Sequence, residues 1–296
     1  MGTGNFTNIA ALQAVYVMRE FRVIVRFLSL LGWMIPAFGP APVFSQCKPS
    51  GVAFCDGEDI SYEVVFNWGP IWIKAGKVDF QTELAGFKGK PCWCLTSTGK
   101  TVPSIEFLFK VRDTYKTWID TSTYHTIEFQ RYIYESGYQL QNTSWFDYRN
   151  RLIISNTKRN EAPLVTDTLR MRGCSFDMLA SCFYVRSMNF DTLAPNQSFP
   201  INIAIDDSIY TISVNLLGRE IIETADGNHY ACLKFVATMV AGTVFEEDQE
   251  AFIWVSDDRN HIPVYIESKI IVGSVKAFLT TAKGLKYPLA LILQKK

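Results

Sequence analysis

Through most of this chain, apolar and polar residues alternate one by one. Only an extended strand can use that period to keep one face dry. Tyr62, Val64, Phe66 and Trp68 fall on one face of a first segment, with Glu63 and Asn67 on the other. Gly69-Pro70 turns the chain, and Ile71 to Leu84 forms a second strand in which Gly76 marks a bulge where the pattern changes face. Pro91 to Thr101, Ile105 to Ile119, Thr123 to Tyr134 and Tyr138 to Tyr148 continue the series, and Asp147 to Arg151 supplies a turn. Further on come Phe199 to Ile205, Ile209 to Leu217, His229 to Val240, Thr243 to Ser256, Ile262 to Ile270 and Gly273 to Thr281, with Leu285 to Lys296 as an extra strand. The turns are short, at Ser136-Gly137, Asp206-Asp207 and Asp226-Gly227-Asn228, and imply antiparallel meanders.

One segment departs from this rhythm. Residues 175–187 place Phe176, Leu179, Ala180 and Phe183 at helical spacing, with Ser175 as N-cap, Asp177 in the first turn and Arg186 in the last. The expected fold class is therefore mostly β: an antiparallel meander rolled into a barrel-like or spiral β-roll, with one short central α-helix between two runs of strands. So many aromatic strand faces need covered edges, which favours a closed or strongly rolled form.

The N-terminus points to a compartment. Arg19, Arg22 and Arg26 precede an apolar run to Phe38, prolines follow at 36, 40 and 42, and Val43 and Ser45 stand at −3 and −1 before Gln46. That is the layout of a cleaved secretory signal, with Met18 as an alternative start. An uncleaved anchor is disfavoured by Arg26 and the prolines. A lipoprotein at Cys47 is disfavoured because Phe44-Ser45-Gln46 lacks the small residue wanted directly before the cysteine. Residues 1–45 would be removed and 46–296 would form a single domain, periplasmic or secreted. The whole chain balances 29 Lys+Arg against 29 Asp+Glu; the mature part would carry 26 against 28. Neutrality argues against a nucleic-acid partner, and 48% hydrophobic residues with 20% charged argue against disorder.

Export makes the seven cysteines candidate bridges. Cys47 with Cys55 would close a small loop near the new terminus. Cys174 and Cys182 are a second candidate pair, although a straight helix would hold them too far apart. Cys92-Trp93-Cys94 sets two thiols on one strand face but lacks the second paired motif a zinc site needs. No metal and no cofactor is expected.

No nucleophile elbow, H-E-x-x-H, P-loop or dinucleotide fingerprint is present. Asp113, Asp120, Arg131, Asp177, Arg186 and Asp257 are charges set in apolar segments. They form either a structural network or a polar ligand-binding cluster. Trp68, Tyr115, Trp118 and Trp254 are the candidate binding aromatics. Acids beside aromatics would also suit a glycoside hydrolase or lyase built on paired carboxylates. Strand faces rich in Phe, Tyr and Trp line a cavity as readily as a solid core.

Several ordered segments together resemble the bacterial domain-of-unknown-function 3108 family of exported proteins. They are Gly57-Glu58-Asp59-Ile60-Ser61-Tyr62 with Asn67-Trp68-Gly69, then Phe109-Lys110-Val111-Arg112-Asp113 with Trp118-Ile119-Asp120. Asp177-Met178-Leu179-Ala180 leading to Phe183-Tyr184-Val185-Arg186 follows, and last Trp254-Val255-Ser256-Asp257-Asp258, Ile262-Pro263-Val264 and Gly273-Ser274-Val275. The resemblance implies a rolled, mostly antiparallel periplasmic β protein and no established activity. The cysteines and Met1 to Val17 lie outside the pattern. The expected role is a non-catalytic envelope protein that binds a glycan, a lipid or a partner protein. The carbohydrate-active enzyme is the alternative.

Overall fold

A computed structural model describes residues 48–49, 51–224, 226–238, 250–269 and 273–293. The expected N-terminal signal, Cys47 and the side chain of Trp68 lie outside the described residues.

The alternating segments are strands. They are β1 (Asp59–Trp68), β2 (Ile71–Phe87), β3 (Lys90–Thr101), β4 (Val111–Asp120), β5 (Thr126–Glu135), β6 (Tyr138–Asp147), β7 (Leu152–Arg159) and β8 (Val165–Arg170). After the two-residue β9 (Ser175–Phe176) comes the helix α1 (Met178–Arg186). Strands resume as β10 (Ser198–Ile205), β11 (Ser208–Glu223), β12 (His229–Thr238), β13 (Glu250–Ser256), β14 (Pro263–Lys269), β15 (Ser274–Lys283) and β16 (Leu291–Leu293). Residues 105–110, expected in a strand, instead begin with a 3-10 turn, Pro103–Ile105, because Pro103 cannot donate to a ladder.

Consecutive strands pair antiparallel from β1 to β8 and from β10 to β15, and β9 joins β10 in parallel. The decisive long-range pairing is β1 with β15, running from Asp59↔Lys283 to Asn67↔Ser274. It joins the two strand runs into one sheet, ordered β8 to β1 and then β15 back to β9, with β16 against β12. The sheet is rolled but not closed, since β8 and β9 stand at opposite ends of it. The bulge expected at Gly76 is present: Val64 faces Gly76 but Val65 faces Lys74, so Ala75 is the extra residue. A Cβ at Gly76 would stand 2.7 Å from the Lys100 carbonyl oxygen, which is why the position tolerates no side chain.

Side chains close what the backbone leaves open. The main core gathers Leu95, Ile119, Phe129 and Ile153 from one run, Phe199, Leu216 and Phe235 from the other, and Leu179, Ala180 and Phe183 from α1 between them. Arg131 on β5 forms an ion pair with Asp206 in the β10–β11 turn, and Arg159 on β7 approaches the same carboxylate at 3.8 Å. A second core packs Ile60 and Tyr62 against Tyr230, Cys232, Trp254, Val264 and Leu279.

The helix starts two residues later than expected. Asp177, not Ser175, is its N-cap, and Asp177 Oδ1 accepts from the amides of Leu179 and Ala180, both at 2.9 Å. Ser175 Oγ instead serves Arg172, accepting from its amide at 3.0 Å.

Candidate functional site

The six embedded charges do not converge; each has its own local task. Asp177 Oδ2 accepts from Thr117 Oγ1 on β4 at 2.9 Å and Thr126 Oγ1 on β5 at 2.8 Å, so the buried cap ties α1 to the sheet. Burial pushes its carboxyl pKa up against these bonds. Arg186 ends the helix and donates two bonds to Glu58, at 2.8 and 3.0 Å, and a third from Nε to the Asn260 carbonyl at 3.1 Å. Arg131 holds Asp206 across the seam. Asp257 is half-exposed and accepts from Arg219 Nε at 2.8 Å.

The two acids of β4 behave in opposite ways. Asp113 is buried and accepts only the Tyr134 amide at 3.2 Å. Burial lifts its pKa to about 7, with the Tyr134 bond and Arg131 pulling weakly the other way. For Asp120, burial also opposes the charge. The hydroxyl and amide of Ser122, the Thr123 amide and Lys90 outweigh it and lower the pKa to about 2. Seven residues of strand separate Asp113 from Asp120, about 23 Å. The two cannot work as the closely spaced pair that glycosidic chemistry needs.

The aromatics are similarly dispersed. Trp118 stacks on Phe87 with centroids 4.3 Å apart, and Tyr115 stands 6.5 Å from Phe129. Trp254 is buried, donates to Glu220 at 2.7 Å and lies 4.8 Å from Tyr265. Cys55 and Cys182 are free thiols, so neither of the expected pairings forms. A helical turn separates Cys182 from its N-cap, and its Sγ donates to the Met178 carbonyl at 3.4 Å instead. Cys92 and Cys94 are free and buried in β3. Among the described residues no group of His, Cys, Asp and Glu could hold a metal ion.

What the fold does bring together is a space. A cavity of about 380 Å³ lies between α1 and the inner faces of both strand runs. Ile60 and Phe80 wall it from one run, Ile203, Ile212 and Ile253 from the other, and Val185 from the helix. Its few polar neighbours are Ser181, Cys182, Arg186 and His261 at the helix side. The Cys182 side chain is accessible to solvent, yet burial raises its thiol pKa. Cys182 is one of the residues that line the cavity. His261 Nδ1 lies 2.7 Å from the Arg186 carbonyl oxygen, and burial lowers its pKa, which keeps the ring neutral at the cavity edge. By contrast, the polar inner wall near Arg131, Asn142, Ser144 and Asp206 encloses only about 10 Å³, room for one water.

Of the cavity residues only Arg186 and Cys182 were candidate site residues in the sequence, neither as part of a cavity; none of the apolar wall was, nor were Glu58 and Asp206. Isoleucines on strand faces look alike whether the opposite side is packed or empty. The acids that matter most sit beside turns, where acids are common.

A family model described as a protein of unknown function, DUF3108, matches residues 61–280. No curated protein matches the chain. The crystal structure of a beta-barrel-like protein of domain of unknown function DUF1849 from Brucella abortus is similar, with TM-score 0.50 and 7% identity over 79% of this chain and 99% of that one. At that identity the likeness concerns the fold alone.

Proposed function

The chain belongs to the DUF3108 family, and from that premise we propose that it is an exported, non-catalytic envelope protein that holds the apolar part of a lipid inside its β-roll. The carrying observation is the 380 Å³ apolar cavity between α1 and the two strand runs. Its size falls within the ~300–1,000 Å³ range of small-molecule sites. A void lined by isoleucines forfeits dispersion contacts and costs on the order of several kcal/mol when empty. An acyl chain restores those contacts and needs no hydrogen bond from the wall. A glycan would leave its hydroxyls unpaired there. The signal-like N-terminus supports export.

Native mass spectrometry of protein isolated from the envelope tests this reading. The expected result is a mass excess matching a lipid. It should disappear after delipidation and return on adding long-chain fatty acid. Ile212→Trp, which fills the cavity, should abolish the adduct while leaving the β-sheet circular dichroism unchanged. A protein that never carries or takes up an apolar ligand refutes the proposal.

A further inference from the structure

The strand register sends the β1–β2 hairpin and the β3–β4 connection to the same end of the roll. Gly76 pairs with Thr101, and the Val102 amide donates to the Ala75 carbonyl at 3.1 Å, so the two loops lie side by side. The helix is anchored at the other end, where Glu58 and Asn260 hold Arg186. Thirteen large hydrophobic side chains are exposed among the described residues, and five of them belong to these two neighbouring loops. They are Ile71, Trp72 and Ile73 in the hairpin, and Phe107 and Leu108 after the 3-10 turn. Trp72 is 56% exposed and Phe107 is 81% exposed. That concentration is far from the isolated exposed apolar residue found on any surface.

Among the described residues the charges around these tips are mostly of one sign after pairing, the exception being the exposed Glu250, which stands one residue before the Ala251↔Ser268 pair and likewise has no ion pair. Lys74 is matched by Glu63, Arg112 by Glu106, and Lys276 by Glu267. Lys100, Lys110 and Lys269 are exposed at the same end and have no ion pair among the described residues. The Lys276 ammonium lies 4.8 Å from the Trp72 ring, pairing an aromatic with a cation at the tip itself.

We propose that this end of the roll docks on an anionic lipid bilayer. Trp72 and Phe107 enter the interface while Lys100, Lys110 and Lys269 meet lipid phosphates. Separate protruding tips suit a deformable lipid surface. A protein partner would need matching sockets, since specific protein interfaces are packed as closely as protein interiors. The proposal does not depend on what the cavity holds.

Flotation of the mature chain, its N-terminus fixed by mass spectrometry, with phosphatidylethanolamine–phosphatidylglycerol vesicles tests it. The wild type should float, and less so as salt rises. Trp72→Ser combined with Phe107→Ser should lower partitioning ~10-fold, because binding scales with inserted apolar area. Lys100→Ser, Lys110→Ser and Lys269→Ser together should remove the salt dependence. Leu84→Ser with Ile221→Ser, two exposed apolar positions outside these loops, should float like the wild type. The cavity variant Ile212→Trp should float too, which separates this test from that of the lipid cavity. A wild type that stays in the soluble fraction, or a tip variant that floats equally well, overturns the proposal.

Discussion

Arg186, the last residue of α1, grips Glu58, just before β1, through two hydrogen bonds of 2.8 and 3.0 Å. Both side chains are buried, and they stand 128 positions apart in the sequence. The pair fixes the helix at one end while Asp177 fixes it at the other. The floor of the cavity is therefore held at both ends by buried polar side chains, of which Arg186 borders the cavity.

Removing one member of this pair strands the other. Glu58→Gln or Arg186→Met alone should lower unfolding stability by ~3–5 kcal/mol. The double variant Glu58→Leu with Arg186→Met should recover much of that loss, because no unpaired charge remains buried. Urea midpoints of the three proteins check this, and purely additive losses would contradict it.

Asp113 should make stability fall as pH rises. Its carboxyl keeps its proton up to about pH 7 in the folded protein. The unfolded chain releases that proton near pH 4. Between those values the folded state binds more protons, so each rise in pH favours unfolding, by at most ~4 kcal/mol in all. Asp113→Asn can still accept the Tyr134 amide and should be more stable than wild type at pH 8 but not at pH 4. Asp120 acts in the opposite sense: its stabilisation is present above about pH 4 and is lost as pH falls toward 2. Thermal melts of wild type and Asp113→Asn across pH separate the two contributions.

Asp206 is the buried acceptor across the open seam. Asp206→Asn should loosen the contact between β5 and the β10–β11 turn more than it lowers global stability. Hydrogen exchange should therefore rise first in β9 and β10. Uniform acceleration across all strands would show instead that the ion pair serves global stability alone.

Cys182 offers a direct reading of the cavity. Its raised pKa predicts slow reaction with iodoacetate at neutral pH. A small apolar maleimide should reach it, and fatty acid should protect it. Peptide-resolved mass spectrometry distinguishes it from Cys55, whose labelling should be indifferent to fatty acid.

The sequence exposes the strands more fully than the site. Alternation located most of the sheet because one face of each such strand is apolar and dry. It missed β7 and β8 for a physical reason. In β7 the buried face carries Ile153, Ser155 and Thr157, so the inner wall there is polar and breaks the apolar pattern. Asn142 on β6 donates to Ser155 and Thr157 at 2.7 and 2.8 Å, which satisfies those groups in place of hydrophobic packing. The helix was legible, but its cap was displaced because two candidate residues, Ser175 and Asp177, stand two apart and only side-chain contacts choose between them. Of the six charges set in apolar segments, all but Asp257 are buried. Asp120 and Asp177 find partners two and three residues on, but those of Arg131 and Arg186 lay too far along the chain for any spacing to reveal.

The sheet ends at β8 and β9 without pairing them; residues 171–174 join the two edges at one end, and away from that link side chains such as Arg131 and Asp206 span the gap. A wall with such a seam behaves like a cuff rather than a tube. It can be let out or drawn in by sliding side chains, with every ladder hydrogen bond intact. On the proposed lipid-holding role, such a seam would let occupants of different bulk be held by one and the same sequence.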